Sequence, residues 1–481
     1  MKNAKRILSL ILAVLMVFST MVFVTSAAET LPTTWWDEKT TATKLSGTGT
    51  EGNPYLISSE DELAYFAKWL ESGALDTATG KVYFKLTKNL DMSAHQWRPI
   101  GYTANHEAYA THTLNNAVLD GAGFAINGIN LSASKAISGY TYANGCALFT
   151  KITGSSVVKN LTVSARVLDP AFSADTATQN RAAAALVATV YDSAMIDNVT
   201  VNIDMDVSAS SGTCYYGGLA AYSYHPASNG NAAKLNKITV NGDLNITGVE
   251  NSSTKLWAGG VVGYYRYASA NQIFNYANIT YKAGYGNDTA VGGILGDSFC
   301  GIVGDTIENH GNLNITAHSG GYSHYGGCFG RIPVIRATGK NVKNYGTITV
   351  NNSNSVDYTG GVIGTLNSHQ DNYLNAITNY GDIIYNKSVI QNVDHIGGIV
   401  GYLKGANTFT KIPTAINCLN EGDITINYPV EKPSINTTNK HQPYIGGIMG
   451  LAQYVTVDTC VNKGDITVNN AYYGMRVGYY G

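Results

Sequence analysis

Charge is scarce in this chain. Of its 481 residues only 13% are Asp, Glu, Lys or Arg, where ordinary domains carry roughly 25%. The net charge is −2 and the basic residues form no stripe, which argues against nucleic acid as a partner. Cysteine is limited to six positions, too few over this length for a scaffold built on disulfides. Proline, at 10 residues, is also sparse. After the first 28 residues no stretch is apolar enough to span a bilayer as a helix. Low charge with much Gly, Asn, Ser and Thr also occurs in disordered chains. Here 44% of the residues are hydrophobic, enough for a packed core.

Residues 1–28 read as a secretory signal. Lys2, Lys5 and Arg6 form a positive start, Ile7 to Val24 an apolar run, and Ser26-Ala27-Ala28 a small-residue exit. The run is long enough for a membrane anchor, but the exit favours cleavage. The mature chain is therefore expected to be secreted or held at the cell surface. Residues 29–50 are Thr-rich and read as a linker. Residues 51–78 read as an N-terminal cap containing a helix. Ser59 and Glu62 fit a capping box ahead of Leu63, Phe66, Ala67 and Leu70, and Gly73 ends the pattern.

From residue 79 to 481 the chain repeats. Nine asparagines, Asn160, Asn198, Asn236, Asn275, Asn309, Asn344, Asn379, Asn420 and Asn462, follow one another at steps of 38, 38, 39, 34, 35, 35, 41 and 42 residues. From Asn275 on, a Gly or Ala usually stands two residues later and a β-branched strand follows, as in Asn344-Tyr-Gly-Thr-Ile-Thr349. A second ladder, Gly-Gly-apolar-apolar-Gly, runs in phase at 259–263, 292–296, 326–330, 360–364, 397–401 and 446–450. Weaker copies stand at Cys146, Ala184 and Gly217. The segments are short and rich in Val, Ile, Thr and Tyr, which makes them strands. Self-similarity at this period predicts an all-β parallel solenoid, with the helix of 51–78 covering its open N-terminal end. Equivalent residues should stack about 4.8 Å apart. A stacked asparagine can donate to one neighbouring coil and accept from the other. Ile273, Ile307, Val342, Ile377, Cys418 and Cys460, each two positions before an asparagine, form a candidate core column. Cys418 and Cys460 lie within disulfide range of each other, but the rest of the column marks them as small apolar fillers.

The opening Gly47-Thr-Gly-Thr-Glu-Gly-Asn-Pro-Tyr-Leu-Ile-Ser58, the Asp120-Gly-Ala-Gly123 turn and the repeated Gly-Gly-x-x-Gly resemble bacterial GLUG-motif repeat proteins of the cell surface. The resemblance covers about residues 47–481. It implies a right-handed parallel β-helix of pectate-lyase-like architecture, and it implies no particular activity. The repeats here are longer than that family's motif. The copies before Gly217 lack the first glycines. The last residues, Tyr473 to Gly481, read as the start of another glycine-flanked strand, so the native chain is expected to continue.

An enzyme on such a fold needs acids and a base around one bond. Arg98, Arg166, Arg181, Arg266, Arg331 and Arg336 share no repeat position, and no Ser-His-Asp set assembles by phase. Asp120, in its glycine turn, reads as a turn residue. His318 and His324 flank a Gly-Gly-Tyr loop and are a weak candidate metal pair. One acidic column stands out. Asp382, Asp423 and Asp465 fall at the same place in three coils and could share calcium, which favours several oxygen ligands; the plainer reading is exposed turn residues. Tyrosine is abundant, at 33 residues. Tyr276, Tyr345 and Tyr380 share the column after the asparagine and are the candidate binding row, although tyrosine also simply suits strands.

The sequence thus points to an exported, non-catalytic, adhesin-like module that binds a polysaccharide or host protein. The rivals are a polysaccharide lyase or glycoside hydrolase, suggested by architecture alone, and a structural stalk spacing other domains. No cofactor is called for beyond the calcium just named.

Overall fold

The computed structural model describes residues 31–470 and 476–477, apart from 77, 102–111, 133–143, 169–180, 210–211, 225–232, 249–253, 267, 283–285, 299–304, 318–320, 333–340, 353–355, 368–372, 388–393, 406–413 and 430–442. The signal reading of residues 1–28 lies outside these residues, as do Cys300, His318 and Arg336. Pro32–Gly481 is one compact unit. It is an all-β parallel solenoid. One sheet of 20 strands and two of 10 strands run along it, with a small sheet of 3 strands beside them.

A middle coil shows the logic. Strands Val342–Asn344 and Ile348–Asn352 lie in the large sheet, and Val356–Gly360 and Ile363–Asn367 in the two ten-stranded sheets. Each pairs in parallel with its copy one coil later: Val342 with Ile377, Ile348 with Ile383, Gly360 with Gly397, Ile363 with Val400. Successive side chains alternate between core and solvent. Every coil therefore adds the same inward set, as with Ile348 and Val350, both at 0% exposure. Burying one such side chain contributes about 1.5–3 kcal/mol. The expected core column is present. Ile377 stands opposite Cys418, since Thr378 pairs with Leu419, and both are buried. Cys418 and Cys460 are free thiols there.

The asparagine column differs from the expectation in its first third. Asn275, Asn309, Asn344, Asn379, Asn420 and Asn462 are in register. Asn160, Asn198 and Asn236 are not in that column. Val240 pairs with Asn275, and Val163, Val201 and Val240 hold its place in the earlier coils. Asn160 and Asn198 instead occupy a left-handed kink, φ 52° and 55°, that Lys237 and Gln272 continue at 53° and 54°. The Asn198 Nδ2 donates to Asn160 Oδ1 at 2.9 Å. Asn236 sits one residue before the kink and donates to Asp197 Oδ1 at 2.6 Å. Loop lengths vary from coil to coil, so a near-constant step concealed the change of phase.

The change from valine to asparagine alters the backbone. Val157–Leu168, Met195–Ala209 and Ala233–Gly248 are long continuous strands. After them the strand breaks in two, as at Ala268–Asn275 and Asn278–Lys282. Asn275 Oδ1 accepts from Ala277 N at 3.2 Å, while its Nδ2 donates to Ala277 O at 2.9 Å and to Asn309 Oδ1 at 2.8 Å. A side chain that satisfies the amide and the carbonyl two residues on makes a corner without leaving buried polar groups unpaired.

Helix Glu60–Glu71 caps the N-terminal end. Ser59 Oγ accepts from Glu62 N, and Glu62 Oε2 accepts from Ser58 N at 2.6 Å. Phe66 packs on Phe84 at 4.6 Å and on Phe149 at 6.4 Å between ring centroids. The described part of the stretch read as a linker docks on the same end: Trp36 Nε1 donates to Met92 O and Thr41 N to Asp61 Oδ1.

Candidate functional site

The predicted tyrosine row exists, with one addition. His310 stands between Tyr276 and Tyr345, and Tyr380 follows. Centroids are 4.6, 4.5 and 4.8 Å apart, with ring planes within 14°, 5° and 10° of parallel. Tyr276, Tyr345 and Tyr380 are exposed, but neighbouring rings already occupy the faces expected to receive a sugar. What the row presents is ring edges. Burial pushes the His310 imidazole below its usual range against the pull of Glu308.

The acidic column serves the backbone. Asp382 Oδ1 accepts from Asp423 N at 2.9 Å and Asp423 Oδ1 from Asp465 N at 2.8 Å. Asn278 and Asn312 do the same one and two coils after Asp243, accepting from Asn312 N and Thr347 N. Asn and Asp interchange in this column because the coil needs only an acceptor oxygen. Among the described residues no group of three or more His, Cys, Asp or Glu side chains is arranged to hold a metal ion.

A different surface gathers the chemistry. The two ten-stranded sheets meet at each Gly-Gly bend, and outward side chains of one sheet touch those of the other. Trp257 and Tyr264 lie 4.8 Å apart, Tyr215 and Tyr222 5.2 Å, Tyr358 and Tyr402 5.2 Å. The bend is concave toward solvent at these contacts and forms a cleft that is closed midway, where Ala290, His324, Asp297 and Thr365 are buried. Glycine lets the walls close in: a Cβ on Gly296 would stand 2.4 Å from Ala258 N, and one on Gly364 2.6 Å from Tyr325 N. One wall carries Tyr215, Trp257, Ala290, His324, Tyr358, His395 and Tyr444 in register. The other carries Tyr222, Tyr264, Asp297, Arg331, Thr365 and Tyr402.

Midway the aromatic lining gives way to charge. The Arg331 Nη1 donates to both oxygens of Asp288, at 2.8 and 2.9 Å, while Nε and Nη2 donate to Asp297 at 3.1 and 2.5 Å. Ser298 N donates to Asp297 Oδ1 at 2.7 Å. His324 shares a hydrogen bond with Thr365 Oγ1 at 2.6 Å, and its Nε2 lies 3.6 Å from Asp288 Oδ1. Burial pushes the Asp288 carboxyl up, but the His324 hydrogen bond and the Arg331 charge outweigh it and hold it low. For the more deeply buried Asp297, burial wins over Arg331 and its carboxyl is raised. Burial likewise lowers the His324 imidazole, against the pull of Asp288. All four carboxylate oxygens accept hydrogen bonds from one guanidinium. The cluster therefore ties adjacent coils together.

Column-by-column reading missed this cluster because its members lie in three columns on the two sides of a bend. A signal was present: Asp297 and Arg331 each stand four residues after the second glycine of a Gly-Gly pair.

No family model matches the chain, and no curated protein matches it. Among solved structures it is similar to a crystal structure described as that of "a putative immunoglobulin A1 protease from Bacteroides ovatus", at 17% identity and a TM-score of 0.39, over 67% of this chain and 79% of that one. The assignment of this chain to the parallel β-solenoids rests on its own strand register.

Proposed function

We propose that this chain is an exported, non-catalytic, adhesin-like module that holds a polysaccharide along the cleft between its two ten-stranded sheets. The observation that carries the reading is the aromatic lining. Tyr264, Tyr358 and His395 stack on their own neighbours as the exposed row does, but with Trp257 and Tyr402 they turn ring edges into a concave surface, with Asp288 and Arg331 between them for hydrogen bonds. A repetitive polymer meets such a surface at several weak points, and linked weak contacts add up to useful affinity. Membership of the GLUG-motif repeat proteins, right-handed winding and surface location belong to the same proposal. The general right-handedness of parallel crossovers supports the winding. The acids at 382, 423 and 465 are assigned to the coil-to-coil hydrogen bonds in preference to calcium.

The test is a glycan array on the purified mature chain. Trp257→Ala combined with Tyr358→Ala should abolish the hit, and Tyr345→Ala combined with Tyr380→Ala should leave it. Binding to a host protein with no glycan hit would replace polysaccharide as the ligand, and no binding at all would leave the stalk. The pair of acids beside His324 favours a second reading, a polysaccharide lyase or glycoside hydrolase. Turnover lost in Asp288→Asn would establish that reading in place of the first.

A further inference from the structure

Inside the solenoid, near one corner, a lysine is buried against an aspartate. Strand Ile383–Lys387 alternates strictly, and Ile383, Tyr385 and Lys387 all point inward. The Lys387 and Asp394 side chains are each only 1% exposed, and the Lys387 Nζ is in direct contact with Asp394 Oδ2. Asp394 belongs to an inward column that holds Cys214, Leu256, Thr289 and Ser323 in earlier coils, then Asp357. An acid in two successive coils departs from the apolar or neutral character of the rest of that column.

The neighbouring hydroxyl completes the arrangement. Tyr385 Oη lies 2.7 Å from Asp357 Oδ2 and 3.2 Å from Asp394 Oδ1. A phenol has one proton to donate. If it serves one carboxylate, its contact with the other is favourable only where that carboxyl is itself protonated and donates to the phenol oxygen. With that proton on Asp357, which donates to the phenol oxygen, the Tyr385 hydroxyl is free to donate to Asp394 Oδ1 beside the Lys387 ammonium. Burial also pushes the Asp394 carboxyl up, against the pull of Lys387. Fully buried charges are costly even when paired, and one reaction removes both.

We propose that Lys387 and Asp394 join through an intramolecular isopeptide bond between Nζ and Cγ. Proton transfer from the ammonium to Oδ2 gives a neutral amine and a carboxylic acid. The amine lone pair attacks Cγ, and the negative charge forming on Oδ1 is met by the Tyr385 hydroxyl. A proton then passes from nitrogen to Oδ2. The Cγ–Oδ2 bond breaks, water leaves, and the carbonyl reforms as a neutral amide. The balance is one ammonium and one carboxylate to one amide and one water, with no oxidant or other reactant. Tyr385 touches the reacting carboxyl and is the catalytic group. Asp357 acts through Tyr385 as a positioning residue. The product is a covalent clasp from the end of a large-sheet strand to the start of a ten-stranded-sheet strand, which locks that corner of the coil.

The test is a mass measurement on the purified wild-type chain, denatured and digested with trypsin. A free Lys387 is cleaved and yields peptides 344–387 and 388–404. A joined Lys387 is not a substrate, so the expected product is one peptide, 344–404, lighter than its sequence mass by one water. Fragmentation should place the link between Lys387 and Asp394. In Lys387→Arg, cleavage after 387 should return with both peptides at full mass, and Tyr385→Phe should lower the joined fraction. Recovery of unmodified 344–387 and 388–404 from the wild type would overturn the proposal, whatever the variants do.

Discussion

Asn344 packs against Gly327 across the inside of the coil. Asn344 is fully buried, and a Cβ on Gly327 would stand 2.3 Å from its Cγ and 2.5 Å from its Nδ2. The same pairing recurs at Gly293 with Asn309, Gly361 with Asn379, Gly398 with Asn420 and Gly447 with Asn462. The two ladders that run in phase through the sequence are the two sides of one contact. In the last of the three coils where valine stands in for asparagine, Gly218 faces Val240 instead.

Gly327→Ala should therefore destabilise the chain by about 1–3 kcal/mol, the usual range for overpacking a well-filled core. The added methyl also meets Gly361 O at 2.1 Å, so neither side can yield easily. Gly80→Ala, where nothing lies within 4 Å, should be nearly silent. Thermal unfolding of the two variants gives the comparison, and equal melting temperatures would dissolve the Asn–Gly pairing.

Ile377→Asp should be among the most damaging single changes, because it places a charge in a closed apolar column above Cys418. Lys463→Ala should be nearly silent. Its ion pair with Glu421 is solvent-exposed, with the lysine side chain 59% accessible. Denaturant titration reads both. A large effect at Lys463 would mean that inside and outside have been exchanged.

His395 should weaken the fold in acid. Burial pushes its pKa down to about 4, so in the folded state it stays neutral where the unfolded chain is protonated. The unfolded chain then binds more protons between about pH 6.5 and 4, and stability falls as the pH drops through that window. The loss attributable to His395 is roughly 3 kcal/mol by pH 4. His395→Tyr, which matches Tyr358 and Tyr444 on either side in its stack, should flatten this part of the profile. Melting temperatures measured from pH 7 to 4 would show no difference between the two if His395 titrates normally.

Asp423→Asn should be close to neutral, since an amide oxygen can still accept from Asp465 N. Asp423→Ala, which leaves that amide without its partner, should cost about 0.5–1.5 kcal/mol. Melting with calcium and with a chelator separates the backbone role from a cation site. A calcium-dependent rise in the wild type that Asp423→Asn abolishes would restore the cation.

Parallel coils bring equivalent residues into register, so every column of the solenoid is also a repeat in the sequence. That is why the fold class, the capping box at Ser59, the Ile377 column and six of the nine asparagines were legible from residues 1–481 alone. Phase was not legible where loops of unequal length kept the step constant, and Val240 took the place assigned to Asn236. Contacts between columns were not legible either. Whether Asp297 reaches Asp288 through Arg331, or Lys387 reaches Asp394, depends on the angle between sheets and on which way a strand's last residue points. Periodicity encodes neither. The sequence by itself determined what stacks along the solenoid axis. The tertiary structure decided what meets around each coil, because a bend joins residues that no repeat interval relates.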